Sequence, residues 1–134
     1  MSSRSCYLTT FDLHRLDLAC APLRQWCDRF DEPCGVYLVG SAGERPDFRD
    51  VDVRLILADE VFDKTFGHDR GLWGLFCYAV SCQLRADTGL LIDFQVQRMT
   101  EANELHSKPR NALGMAYRGA REFAGGGDAT GFWS

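Results

Sequence analysis

The stretch VGSAGERPDFRDVDVRLIL, residues 39–57, decides the fold. It opens on the last residue of an apolar run and passes through Gly40-Ser41 and a set of turn formers. It then re-enters an apolar segment through Asp50-Val51-Asp52. Side chains alternate across a strand, so parity sorts this second segment into two faces. Val51, Val53, Leu55 and Leu57 share one face, while Asp50, Asp52 and Arg54 share the other. The preceding run, Val36 to Val39, stops at Gly40 and reads as a central strand. Ser41-Ala42-Gly43-Glu44 has the S-x-x-E capping form, which predicts a brief helical turn from Ser41.

A third strand, Leu90 to Gln97, follows the turn signal Asp87-Thr88-Gly89. Its parity sets Leu90, Ile92, Phe94 and Val96 against Asp93, Gln95 and Gln97. Upstream, Thr9, Thr10 and Asp12 are helix-start residues. Leu13 and Leu16 then share a face, as do Leu23, Trp26, Cys27 and Phe30 at helical spacing. Pro22 predicts a kink or a fresh start, and Asp31-Glu32-Pro33-Cys34-Gly35 ends the helical region. Phe62 to Gly71 reads as polar and turn-like. Residues 71–86 read as a helix burying Leu72, Leu75, Phe76, Ala79, Val80 and Leu84. Thr100 caps a short helix, and a last helix covers Ala112 to Phe123.

This order predicts an α/β (α+β) fold, a small mixed β-sheet with helices packed on one face. Residues 1–124 form the single domain expected of 134 residues. Residues 125–134 read as a Gly-rich flexible tail carrying Phe132 and Trp133. Apolar residues make up 46% and charged residues 25%, a balance that suits a soluble globular chain. No run is long enough to span a membrane, and the N-terminus lacks the apolar core of an export signal, which points to the cytoplasm. Six cysteines (Cys6, Cys20, Cys27, Cys34, Cys77 and Cys82) form no C-x-x-C pair and read as buried free thiols. His14, His68 and His106 are scattered, which argues against zinc.

The net charge of −4 argues against a protein that grips nucleic acid non-specifically. The charges are unevenly spread: residues 44–63 hold seven acids against three arginines, whereas residues 98–121 hold five bases against two acids. Asp93 belongs with the acidic centre. If the second and third strands are neighbours, it approaches Asp50 and Asp52 on one side of the sheet. Converging carboxylates repel unless protonated or neutralised, and oxygen-only clusters suit Mg2+ or Mn2+. A pair of such ions can serve phosphoryl transfer. Gly40 at a strand end lets a ligand approach the backbone closely. The amides after it, with the Ser41 hydroxyl, suit a phosphate.

Gly40-Ser41, eight further residues, Asp50-Val51-Asp52-Val53 and a later strand bearing Asp93 together resemble the DNA polymerase beta-type nucleotidyltransferase superfamily, in its small single-domain form. The resemblance covers residues 35–97. It implies that Asp50, Asp52 and Asp93 bind two divalent metals and that Asp93 orients or deprotonates an acceptor hydroxyl. It also implies that Gly40 and Ser41 hold the β and γ phosphates of an NTP, typically ATP. The reaction implied is nucleotidyl transfer to a protein, an RNA end or a small molecule, with release of pyrophosphate. Small members of the superfamily are often paired with a partner protein that they modify, as in toxin–antitoxin modules, and either homo- or hetero-oligomers are compatible with this. One departure is Ala42, where small members often carry a basic residue. Arg45, Arg49 or Arg54 then has to supply the phosphate charge, unless Arg54 instead neutralises Asp52 at a dead site. The alternatives are thus a catalytically inactive interaction module of the same fold and a metal-dependent phosphoesterase using the same acids.

Overall fold

The computed structural model describes residues 7–40, 42, 45–106 and 110–115. The expected turn at Ser41, most of the last helix and the Gly-rich tail lie outside these residues. The fold class is as expected. Among the described residues there are five helices and a four-stranded mixed sheet in the order β3-β2-β1-β4. Strand β1 is Cys34–Val39, β2 is Val51–Leu57, β3 is Ile92–Arg98 and β4 is Asn111–Ala112. The β1–β2 and β1–β4 pairs are antiparallel, and β2–β3 is parallel. Ala112, expected to open a C-terminal helix, instead pairs with Tyr37 at the sheet edge, beside Asn111 on Leu38. Such a short strand is set by that long-range pairing and has no local pattern of its own.

Helix α1 (Thr10–Ala19) starts where Thr9 caps it, its hydroxyl accepting from the Asp12 amide at 3.0 Å. Pro22 does bring a fresh start, because it sits in the first turn of α2 (Ala21–Cys27), where a missing N–H costs nothing. The segment expected to be turn-like contains most of α3 (Asp59–Thr65), which has Asp59 and Glu60 in its first turn and places Val61 and Phe66 in the core. Helix α5 (Met99–Leu105) begins one residue ahead of Thr100, the residue expected to cap it. Leu16, Val36, Leu38, Val53, Leu55, Phe94, Val96 and Leu84 belong to one continuous core between the sheet and helices α1, α2 and α4. The parity assigned to β2 and β3 therefore holds.

Helix α4 (Arg70–Thr88) corrects the sequence reading in part: Leu84 is buried and Phe76 and Val80 pack against the core as expected. Leu72 and Leu75, expected inside, are exposed at 45% and 65%, and Ala79 is exposed too. A second stripe, Trp73, Cys77, Ser81 and Arg85, turns its side chains to the outer backbone of edge strand β3. Arg85 Nε donates to the Ile92 carbonyl at 2.9 Å, and the Ser81 hydroxyl accepts from the Phe94 amide at 3.1 Å and donates to its carbonyl at 3.4 Å. The Val96 amide donates to Cys77 Sγ at 3.4 Å, and Trp73 Nε1 donates to the Val96 carbonyl at 2.9 Å. Four helical residues rise about 6 Å and two strand residues about 6.6 Å, so an i, i+4 stripe running antiparallel to the strand stays in step with it. An edge strand with bare amides and carbonyls invites another chain to pair with it; here a helix seals it.

The cysteines also need correction. Cys27 and Cys34 form a disulfide that ties the end of α2 to the start of β1. Cys20 and Cys77 are buried free thiols as expected, but Cys82 is exposed. Among the described residues no helix is long and apolar enough to cross a membrane.

Candidate active site on the acid face of the sheet

The register of the parallel pair decides how the acids stand. Asp52 of β2 is aligned with Asp93 of β3, and neighbouring positions on parallel strands point to the same side. Asp50 lies exposed immediately before β2, close enough for its charge to act on Asp52. Asp52 is half-buried, and this desolvation raises its proton affinity above the usual carboxylate value of 3.8. The Arg54 charge opposes the rise, while Asp93 and then Asp50 add to it.

Arg54 lies on the same face, almost buried, between the two acids. One terminal nitrogen lies 3.5 Å from Asp93 Oδ2 and 4.0 Å from Asp52 Oδ1. The other donates to the carbonyls of Asp93 at 2.7 Å and Val53 at 3.0 Å. Its Nε is buried without a hydrogen-bond partner among the described residues. A guanidinium with one orphaned donor, aimed at two carboxylates at long ion-pair distances, balances their charge without saturating their oxygens.

The phosphate-side residues are placed as follows. Gly40 ends β1 with φ +76°, and a Cβ there would collide with the Asp52 carboxylate. Only glycine satisfies both conditions, and the group that approaches its backbone closely is Asp52 itself. Ser41 lies outside the described residues. Ala42 is fully buried, with its carbonyl accepting from the Tyr7 amide at 2.7 Å. A long basic side chain at position 42 would have to displace the core, which accounts physically for the alanine. Arg45 is exposed and ion-paired with Asp47 at 3.8 Å, and none of its described contacts is with Asp50, Asp52 or Asp93. Arg54 is thus the basic residue that the fold brings to the acids.

Among the described residues no three carboxylate, imidazole or thiolate groups form a ready-made metal cage. The donor set that is present, Asp52 and Asp93 with Asp50 beside them, suits an ion of a different habit. Mg2+ usually takes one or two protein carboxylates and completes its octahedron with water and substrate phosphates.

Several residues of this face had no signal in the sequence. Tyr37 is the cross-strand partner of Arg54, and the Arg110 guanidinium stands 5.6 Å from its ring centre. His106 Nε2 lies 3.1 Å from Gln97 Oε1, within hydrogen-bond reach. Burial lowers the His106 proton affinity, and the Arg54 and Arg110 charges lower it further, so the imidazole is neutral at neutral pH. These contacts join positions far apart in the chain, and only the parity of Gln97 gave a hint of them. Comparison of the chain with protein-family models, with curated proteins and with solved structures returned no match.

Proposed function

We propose that the acid face is a divalent-cation-dependent nucleotidyltransferase site acting on an NTP and an acceptor hydroxyl. The observation that carries this reading is the in-register pairing of Asp52 with Asp93, with Asp50 flanking it and Gly40 packed against the Asp52 carboxylate. Burial and the neighbouring Asp93 and Asp50 charges raise the proton affinity of Asp52, and a cation bound there would relieve both desolvation and repulsion. When bound with the nucleotide, Mg2+ or Mn2+ would neutralise phosphate charge and polarise the reacting phosphorus centre. The chain's own residues would divide the remaining work: Asp50 and Asp52 hold the ion, and Asp93 holds it and orients the acceptor hydroxyl. Arg54 stands where it can exchange its carboxylate partners for phosphate oxygens. The reaction so proposed would draw on a cytoplasmic supply of NTP.

Titration of the purified chain with Mg2+ and NTP tests the reading. Binding that needs the metal and is abolished by Asp50→Asn and Asp52→Asn supports it, whereas no binding at millimolar nucleotide rejects it. Release of pyrophosphate, and not free phosphate, separates it from phosphoester hydrolysis. A second reading, a non-catalytic module of the same fold, draws on one observation: Arg54 already pairs with both acids. In that case the guanidinium replaces the cation and the face serves as a stable polar surface.

A further inference from the structure

The seal that α4 forms along β3 stops at Trp73 and Val96, and a groove of about 590 Å3 opens where it stops. The turn between α3 and α4 forms one wall and α5 the other, with the last residues of β3 between them. This volume falls within the ordinary range for small-ligand sites. The chemistry of the groove is specific. Phe62 and Trp73 supply aromatic surface, and each has a guanidinium near its ring, Arg98 at 4.6 Å and Arg70 at 5.6 Å from the ring centres. Gln95 and Gln97 add side-chain amides. The Gln97 oxygen lies within hydrogen-bond reach of His106, which leaves its NH2 as a donor; the Gln95 side chain has no hydrogen bond among the described residues. Arg98 is ion-paired with Asp63, and Asp69 and Glu101 line the groove together with Arg70 and Arg98, so it has no strong net charge.

Aromatic and guanidinium planes bind flat π systems, and paired amides read edges that carry both donors and acceptors. A near-neutral lining favours an uncharged ring over a phosphate. The position of the groove adds a second constraint. Gln95 lies two residues beyond Asp93 on the same face of β3, while Gly40 lies on the opposite side of the acid pair, at the end of β1. In phosphoryl transfer the attacking and leaving oxygens are roughly in line across the phosphorus. With the leaving pyrophosphate on the Gly40 side, the attacking hydroxyl arrives from the Asp93 side, where the groove lies.

We infer that this groove binds a nucleobase, that of a nucleoside or RNA end that carries the acceptor hydroxyl. The nucleobase specificity stands on the groove, and the acceptor role rests on the nucleotidyltransferase reading. In the transfer, the hydroxyl oxygen forms a bond to the α-phosphorus, the bond to the bridging oxygen of pyrophosphate breaks, and the hydroxyl proton leaves to Asp93 or water.

The test uses the full chain without metal, titrated separately with adenosine, guanosine, cytidine and uridine and with a single-stranded trinucleotide, while tryptophan fluorescence is followed. A saturable change is expected for at least one nucleoside. It should be lost in Trp73→Phe and its affinity weakened roughly fivefold or more by Arg70→Ala and by Gln95→Ala. Tighter binding of the trinucleotide than of any nucleoside assigns the base to an RNA end, and equal binding assigns it to a free nucleoside. The absence of a saturable change with every ligand, or a change indifferent to Arg70→Ala and Gln95→Ala, overturns the proposal. Binding of Mn2+ with NTP is measured in the same preparation and depends on Asp52. Nucleoside binding without it overturns the acceptor role, and NTP binding without nucleoside binding overturns the groove while leaving the nucleotidyltransferase reading intact.

Discussion

The two ends of β2 carry the same residue type in opposite conditions. At its start Asp52 is half-buried among like charges, and its proton affinity is raised. Just past its end Asp59 is open to water, accepting from the Thr100 hydroxyl at 2.5 Å and the Thr100 amide at 3.2 Å, and its proton affinity is lowered. The Thr100 bonds are the chief cause, and the Arg98 charge adds to them. One end is satisfied and serves the fold, docking α3 against α5. The other holds charge the fold would be more stable without, the common signature of a place reserved for a ligand.

Removing the cation from the unsatisfied end should give the largest effect. Arg54→Ala leaves two facing carboxylates uncompensated and is expected to lower stability by about 2–3 kcal/mol at neutral pH. That is less than the 3–5 kcal/mol of a fully buried pair, because the Asp93 side chain keeps 43% exposure. Millimolar Mn2+ should restore more of the lost melting temperature in this variant than it adds to the parent. Equal melting temperatures without metal would mean the guanidinium balances nothing.

The sealed edge of β3 provides a comparison for an ordinary satisfied contact. Ser81→Ala strands both the amide and the carbonyl of Phe94, and a loss of about 1–2 kcal/mol is expected in chemical denaturation. No measurable loss would show that solvent reaches the edge and the seal is incomplete.

Acid titration of stability should expose the two aspartates with opposite signs. The folded value of Asp52 is raised above 3.8, so the folded chain holds a proton that the unfolded chain has released. Stability from this group is fully present below pH 3.8 and is lost as the pH rises through the raised value. Asp52→Asn should flatten that decline. The folded value of Asp59 lies below 3.8, so its contribution is present above pH 3.8 and is lost as the pH falls through the lowered value. Asp59→Asn should remove that acid-side loss, with a smaller effect than either preceding variant because the carboxylate is exposed. Denaturation midpoints measured across pH 2–7 for the parent and both variants check the signs, and slopes of equal sign would reject the contrast.

The acid face was legible because strand parity is a local property: Val51, Val53 and Leu55 against Asp52 and Arg54, and Phe94 against Asp93, follow from alternation alone. Whether Asp52 and Asp93 meet depended on which strands neighbour one another, which the chain order suggested and the register fixes. The α4 face was read correctly at Phe76, Val80 and Leu84 and wrongly at Leu72, Leu75 and Ala79, because counting apolar residues assumes a helix lying flat on a sheet. This helix also runs along a sheet edge and has to satisfy backbone groups there, so Ser81 and Arg85 turn toward β3 while Leu72 and Leu75 face water. The sequence signal for it was the i, i+4 series of hydrogen-bonding side chains at 73, 77, 81 and 85. The Cys27–Cys34 bridge and the short β4 had no such signal, because each depends on chain segments brought together by the rest of the fold.

The central claim is that the acid pair is arranged for a metal-bound nucleotide and that Arg54 only holds the place. A crystal structure of the chain with Mn2+ and a non-hydrolysable NTP tests it most directly through the anomalous signal of manganese. The predicted result is manganese between Asp52 and Asp93, with Asp50 drawn in and the Arg54 guanidinium turned from the carboxylates to phosphate oxygens. A guanidinium still bridging Asp52 and Asp93, with no manganese on the acid face at saturating concentrations, would contradict it.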